Sequence, residues 1–237
     1  LSTSQSQFGF KSGCSTNMCT MLVKETISYY TNNSSSVFCC LLDATKAFDR
    51  VNYGKLFKLL IDRKLPPTVV RLLLNMYTGH QTRIMWNGSF SDYIDVKNGV
   101  KQGGILSPIL FCVYLDVLLM DLQRSGVGCY MGRCCLAVLA YADDIVILAP
   151  SASAMRKLLS ICDEFAFKYD VVFNASKSKC IFYHPVGCHS YNKEKPTFYV
   201  RTNAIEFVNS WPHQGHALNN NLTDTDDILH RRGVLVS

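Results

Sequence analysis

An adjacent pair of carboxylates, Asp143 and Asp144, interrupts an apolar run from Leu136 to Leu148. No other feature constrains the folding of this chain so tightly. A core element built from these residues would bury two unpaired charges, at a cost on the order of several kcal/mol. The charges therefore need a turn open to water, or cations. Neighbours in a straight strand point to opposite faces, so two adjacent acids serve one centre only where the chain turns. The pattern predicts a hairpin, with a strand over 134–140, a tight turn from Tyr141 to Asp144 and a strand over 145–149. Taken alone, an Asp-Asp turn is an ordinary solvated hairpin tip, since Asp is a common turn residue.

A second apolar run, Val37 to Leu42, also ends abruptly in an acid, Asp43. It reads as a buried central strand with a carboxylate at its C-terminal end. The plainer reading of Asp43 is a helix N-cap, and Asp49 invites that reading before a helix over 53–63. One acid at a strand end and two at a hairpin turn are the parts that paired Mg²⁺ ions need. Mg²⁺ takes hard oxygen ligands, a few carboxylates plus substrate phosphates. Two such ions about 3.5–4 Å apart stabilise the attacking and leaving oxygens of a phosphoryl transfer.

Several segments, in order, resemble reverse transcriptases of the non-LTR (LINE-type) retrotransposons. Leu42-Asp43-Ala-Thr-Lys-Ala-Phe48-Asp49 is similar to their first catalytic motif, Gln102-Gly103-Gly104-Ile-Leu-Ser107-Pro108 to the second, and Tyr141-Ala142-Asp143-Asp144 to the third. Phe173-Asn174-Ala-Ser-Lys177-Ser-Lys179 resembles the fourth. Gln7-Phe-Gly-Phe-Lys11, running on to Thr16, resembles the segment before the first motif, and Trp211 to His216 the segment closing the palm near the primer grip.

The resemblance implies an RNA-directed DNA polymerase that extends a DNA primer on an RNA template with dNTPs. It implies two Mg²⁺ ions, with Mn²⁺ as a substitute. Asp43 and Asp143 would be the main ligands, Asp144 a weaker one, and a carbonyl of Leu42 or Ala44 a further one. Phe48 would lie beneath the incoming sugar and exclude a ribose 2′-OH; core packing is the plain reading of a lone Phe. Gln102, Gly103 and Tyr141 would border nucleotide and template, small residues there allowing close backbone approach. Lys177, with Lys179 as rival, would protonate or neutralise the leaving pyrophosphate; the plain alternative is a solvated loop lysine. Lys11 stands where the family commonly has arginine, and would contact phosphate or template without bidentate geometry. Two alternatives stay open: an inactive nucleic-acid-binding fragment or degraded element copy, and an RNA-copying RNA polymerase, from which Phe48 would distinguish it.

The implied fold is α+β, a right-hand polymerase palm with partial fingers, its antiparallel sheet packed on helices. Residues 1–36 would be partial fingers with an N-terminal helix, 37–185 the palm, and 186–237 the end of the palm leading toward a thumb. The chain begins without Met, lacks a visible signal peptide and reads as a fragment. Ser15 or Thr16 caps a helix to about Tyr30, with Met18, Met21, Leu22 and Ile27 on its apolar side. Helices over 53–63 and 66–78 are split by Leu65-Pro66-Pro67. A hairpin pairs 83–86 with 90–96 about Asn87-Gly88. Ser107 caps a helix over 109–123 with Pro108 at its first position, and its apolar face carries residues 109, 110, 113, 117 and 118. Ser151 caps a helix to about Lys168, and strands follow near 180–183, 198–201 and 204–208. Asp224, Asp226 and Asp227 suit the start of a short last helix.

Hydrophobic residues make up 48% of the 237, yet no run reaches the roughly 20 needed to span a bilayer, which excludes a membrane partner of that kind. A net charge of +6 suits a polyanion, although the basic residues are scattered. Eleven cysteines, some adjacent (Cys39-Cys40, Cys134-Cys135), read as small buried hydrophobes of a reducing, intracellular setting. The resemblance places such a chain in nucleus or cytoplasm as a ribonucleoprotein. His184, Cys188 and His189 lack a fourth ligand for zinc. The oligomeric state is not legible.

Overall fold

The structure, a computed structural model, describes residues 2–101, 103–187 and 195–223. The expected last helix at Asp224–Asp227, the Cys188 and His189 pair and Gln102 lie outside the described residues.

The elements run α1 (Thr16–Asn32), β1 (Val37–Leu42), a 3₁₀ turn (Phe48–Arg50), α2 (Tyr53–Asp62) and α3 (Pro67–Tyr77). Four two-residue strands follow: β2 (Gln81–Thr82), β3 (Met85–Trp86), β4 (Ser89–Phe90) and β5 (Ile94–Asp95). Then come α4 (Ser107–Arg124), β6 (Tyr130–Met131), β7 (Cys134–Cys135), β8 (Val138–Tyr141), β9 (Asp144–Ala149) and α5 (Ala152–Tyr169). The last are β10 (Lys179–Tyr183), β11 (Phe198–Val200), β12 (Asn203–Phe207), β13 (Ser210–His213) and β14 (His216–Asn219).

Six strands form one sheet in the order β11-β12-β10-β1-β9-β8. All its pairings are antiparallel except β10 with β12. β1 is central, and it explains the unbroken apolar run that precedes Asp43. Its even residues, Phe38, Cys40 and Leu42, join the core under α2 to α5; its odd residues, Val37, Cys39 and Leu41, join a second core with Cys19, Val23 and Ile27 of α1. A strand covered on both faces cannot alternate with polar residues. Cys39 and Cys40 therefore do face opposite ways, both buried. Cys134, in contrast, is exposed and Cys135 only half-buried, which corrects their expected place in the core.

Other departures have local causes. The strand expected over 134–140 is broken: Gly132 turns with positive φ, β7 folds back on β6, and only 138–141 joins the sheet. The face of α1 that is buried runs through Cys19, Thr20, Val23 and Ile27, leaving Met18 and Met21 exposed. Ser15 is the α1 cap, accepting from the Met18 N–H. The cap of α2 is Asn52, accepting from Lys55 N–H, and not Asp49, which sits inside the 3₁₀ turn. Ser107 opens α4 as a helical residue and makes no cap bond; its buried hydroxyl has no partner among the described residues. Ile109 is exposed, while Leu110, Val113 and Leu118 are buried as expected. Ser151 caps α5 as expected, accepting from Ala154 N–H. The 83–96 hairpin is shorter than expected, β3 with β4 inside β2 with β5, and wholly exposed in its strands. β13 and β14 form a further hairpin that the sequence did not announce. Among the described residues no helix is long and apolar enough to cross a membrane.

Candidate active site

Asp43 stands one residue past the end of β1, where the sheet gives way to a loop. β1 and β9 pair Leu41 with Val146 and Leu42 with Ile145, so the next step of that register brings Asp43 opposite Asp144. The backbone of Asp43 is pinned from the other side: its N–H donates to Ser178 Oγ at 3.1 Å, and its carbonyl accepts from Asn174 N–H at 2.9 Å. Asn174 also shapes its own loop, its side-chain oxygen accepting from the N–H groups of Ser176 and Lys177. This is an Asx-type turn, a local alternative to regular structure that short polar side chains favour. It carries Lys177 to the lip of the cleft that Asp43 lines.

The two candidate lysines are thereby separated. Lys179 is buried and committed, donating to Glu206 Oε2 at 2.7 Å and to the Ser176 carbonyl at 2.8 Å. Lys177, not Lys179, faces the cleft with Asp43 and Asp144.

β8 and β9 join through a two-residue turn, Tyr141 pairing with Asp144 across Ala142 and Asp143. Ala142 is left-handed, φ +57°, a conformation that costs a residue with a Cβ about 1–2 kcal/mol. The turn is held from outside its own hairpin. Gln7, fully buried, accepts from the Ala142 N–H at 2.9 Å and donates to the Ala142 carbonyl at 3.3 Å. Gly9 lies so close that a Cβ there would come within 2.4 Å of Ala142 N.

Burial raises the pKa of Asp143, and the Asp43 charge raises it further. Asp144 is pushed up to about 6, by desolvation first, then by Asp143 and Asp43. Two carboxylates raised by burial and by acidic neighbours mark a site short of positive charge. A cleft of about 200 Å³ opens beside them, lined by Leu41 to Asp43, Asp144, Ile145, Lys177 and Trp211 to Gln214. The β13–β14 tip forms its far wall. There His213 is buried and its pKa is pushed down to about 4, by burial and then by His216. His213 Nε2 and Gln214 Oε1 are buried without partners among the described residues.

Among the described residues no three His, Cys, Asp or Glu side chains enclose an ion by themselves. The donor set nonetheless fits a hard divalent cation. Mg²⁺ keeps several waters and takes one or two carboxylates plus substrate phosphates, so an open, all-oxygen, charge-deficient edge is the form such a site has.

The remaining expected residues are placed as follows. Phe48 rides on the 3₁₀ turn, half-buried, one face stacked on Phe111 of α4 with ring centres 4.6 Å apart. Gly103 has φ +81° and open space where a Cβ would be, so its need for glycine is conformational rather than steric. At Gly104, the next residue, a Cβ would meet Ser107 Oγ at 2.8 Å. Tyr141 is half-buried against the second core. Lys11 does not reach outward: its ammonium donates to the carbonyls of Thr3 and Ser4 and closes the N-terminal loop on itself. Sequence reasoning gave no role to Gln7, Gly9, Asn174 or Ser178. Their signal, a few polar residues inside quoted motifs, has no meaning until the loops are folded.

The sheet and its flanking helices are those of a polymerase palm with part of the fingers. A solved structure of apo telomerase from Candida tropicalis, truncated from its C-terminal domain, matches over 91% of this chain and 39% of its own, with TM-score 0.62 at 14% identity. At that identity the likeness is one of fold. The model of the family reverse transcriptase (RNA-dependent DNA polymerase) matches residues 2–211, and the chain belongs to that family.

Its relatives include the retrovirus-related Pol polyprotein from type-2 retrotransposable element R2DM of Drosophila melanogaster, 32% identical over 176 residues (72% of this chain, 16% of that protein). The probable RNA-directed DNA polymerase from transposon X-element of the same organism is 27% identical over 231 residues (93% and 24%). The LINE-type resemblance read from the motifs is thus borne out. The chain spans between 16% and 24% of the length of these two relatives.

Proposed function

We propose that this chain is the catalytic palm of an RNA-directed DNA polymerase, joining a dNTP to a primer 3′-OH on an RNA template. The observation that carries the reading is the convergence of Asp43, from the end of β1, with the Asp143–Asp144 turn. Asp43 and Asp143 would hold paired Mg²⁺, or Mn²⁺ in its place, with Asp144 contributing less. When bound, these ions supply Lewis-acid stabilisation of the attacking and leaving oxygens.

The chain's own residues do the rest. The cleft edge aligns primer and triphosphate, and alignment alone accounts for much of a phosphoryl-transfer barrier. Lys177 lines the cleft, and its ammonium would offset charge on the departing pyrophosphate. Phe48, braced by Phe111, presents a rigid ring for the sugar to pass over. Gly103 and Tyr141 border the nucleotide.

The test is primer extension by this chain on an RNA template with Mg²⁺. Asp143→Asn should abolish incorporation. Phe48→Ala should raise the use of ribonucleotides by about 10-fold or more, the order of discrimination a shaped pocket gives. Ribonucleotide use equal to wild type would remove Phe48 from the sugar gate. Steeply salt-dependent binding of primer–template without any incorporation would leave a nucleic-acid-binding module in place of an enzyme.

A further inference from the structure

We propose that Gln7 is a positioning residue for the catalytic turn, setting the conformation that holds Asp143 at the tip and presents Asp144 to the cleft; this rests on the polymerase reading above. Its amide does for Ala142 what a neighbouring strand would do. The oxygen accepts from both the Ala142 and Gly9 N–H groups, at 2.9 and 2.8 Å, and the NH₂ donates to the Ala142 carbonyl. No residue of the hairpin itself supplies these bonds.

Ala142 needs such a hold. Of the two central residues of the turn it alone has positive φ, the position where hairpins usually place glycine. An alanine there leans toward other conformations, and each of them would turn the next carboxylate elsewhere.

The segment bearing Gln7 is itself anchored. Ser6 and Phe8 bond both sides of Ala140, so residues 6–8 add a short parallel rung to the free edge of β8. Gly9 lets the backbone come against the turn, and its carbonyl meets the Cys112 thiol of α4. Lys11 ties the loop behind it. A buried glutamine that merely satisfied its own polar groups would have no reason to use every atom of its amide around one residue of the active turn.

The experiment compares wild type, Gln7→Ala and Gln7→Glu, the last keeping the acceptor while changing the donor. Steady-state primer extension is measured across Mg²⁺ concentrations, and amide hydrogen exchange is followed at Ala142 and at Ile147 in mid-strand. The expected result for Gln7→Ala is a kcat lower by about 10- to 100-fold, the order for small misplacement of a catalytic group. The Mg²⁺ needed for half-maximal rate should rise, the KM for dNTP should stay within twofold, and Gln7→Glu should fall between. Ala142 should exchange at least tenfold faster while Ile147 keeps its rate.

Unchanged kcat and Mg²⁺ dependence in Gln7→Ala would overturn the proposal. So would equal acceleration at Ala142 and Ile147 in both variants, which would make Gln7 a general stabiliser. If wild type incorporates nothing, the polymerase reading fails by itself. The clamp is then decided by exchange alone: selective acceleration at Ala142 upholds it, and no selective acceleration overturns it.

Discussion

Two hairpin turns in this molecule reach a similar shape by opposite means. The turn between β3 and β4 is Asn87-Gly88, both with positive φ, and every strand residue around it is exposed. Its residues are those that a two-residue hairpin turn prefers, so the local sequence suffices. The turn between β8 and β9 is Ala142-Asp143, a poor choice by the same rule, and it keeps its geometry through a glutamine more than 130 residues away in the chain. Where a turn carries no chemistry, local preference is free to decide it. Where it carries the acids, the residue types are set by the site, and tertiary bonds must supply what the local sequence withholds.

Four tests separate the two turns. The largest contrast is in activity: Asp143→Asn should lower dNTP incorporation by at least about 10³-fold, as loss of a group that anchors transition-state charge does, whereas Gly88→Ala should leave it within twofold. Primer extension with both variants side by side reads this directly.

Next is packing. Gly9→Ala drives a methyl into Ala142 N and should cost about 1–3 kcal/mol, the range for overpacking a tight site. Denaturant unfolding measures it, and a change below 0.5 kcal/mol would mean, within about the error of such mutational comparisons, that the segment and the turn are not locked together.

Backbone preference should show opposite signs at the two tips. Ala142→Gly relieves about 1–2 kcal/mol of left-handed strain and loses about 0.4–1 kcal/mol to the freer unfolded chain, a net gain of about 0.8 kcal/mol at the middle of both ranges. Gly88→Ala should lose a similar amount, with nothing in contact to resist its methyl. The same sign at both would break the comparison.

The last contrast is in pH dependence. Asp144 titrates near 6 in the folded chain against 3.8 as its ordinary value, so the folded state holds a proton that the unfolded state has released. In metal-free protein that contribution to stability is full below about pH 4 and fades as pH rises through 6. Asp143, also raised, adds in the same direction. Asp144→Asn should flatten this slope, measured as melting temperature against pH, while Gly88→Ala at the other tip, which changes no titratable group, should leave it unchanged.

How much of this could be read from sequence follows the same division. The β1 strand, the caps at Ser15 and Ser151 and the Asn87-Gly88 tip were legible because each is a local preference met in place. The convergence of Asp43 with Asp143 and Asp144 was legible only through the family's motifs, since no spacing implies a strand register. What sequence could not show is long-range. Asn52 displaced Asp49 as a cap because a 3₁₀ turn occupies 48–50. Lys11 was drawn inward by two carbonyls of its own loop. Lys179 was taken by Glu206 of a strand 27 residues on. In each case the conformation of a turn or loop, or the arrival of a distant strand, decided the outcome, and local preference specifies neither.

The central claim is that Asp43 and the Asp143–Asp144 turn form one divalent-cation site. Substoichiometric Mn²⁺ added to the isotopically labelled chain tests it through paramagnetic broadening of backbone amides. The account predicts strong broadening at Ala44, Asp143 and Asp144, none at Asn87 and Gly88, and loss of the effect in Asp43→Asn. Broadening centred elsewhere, or signals at Asp143 and Asp144 that broaden equally after Asp43→Asn, would contradict it.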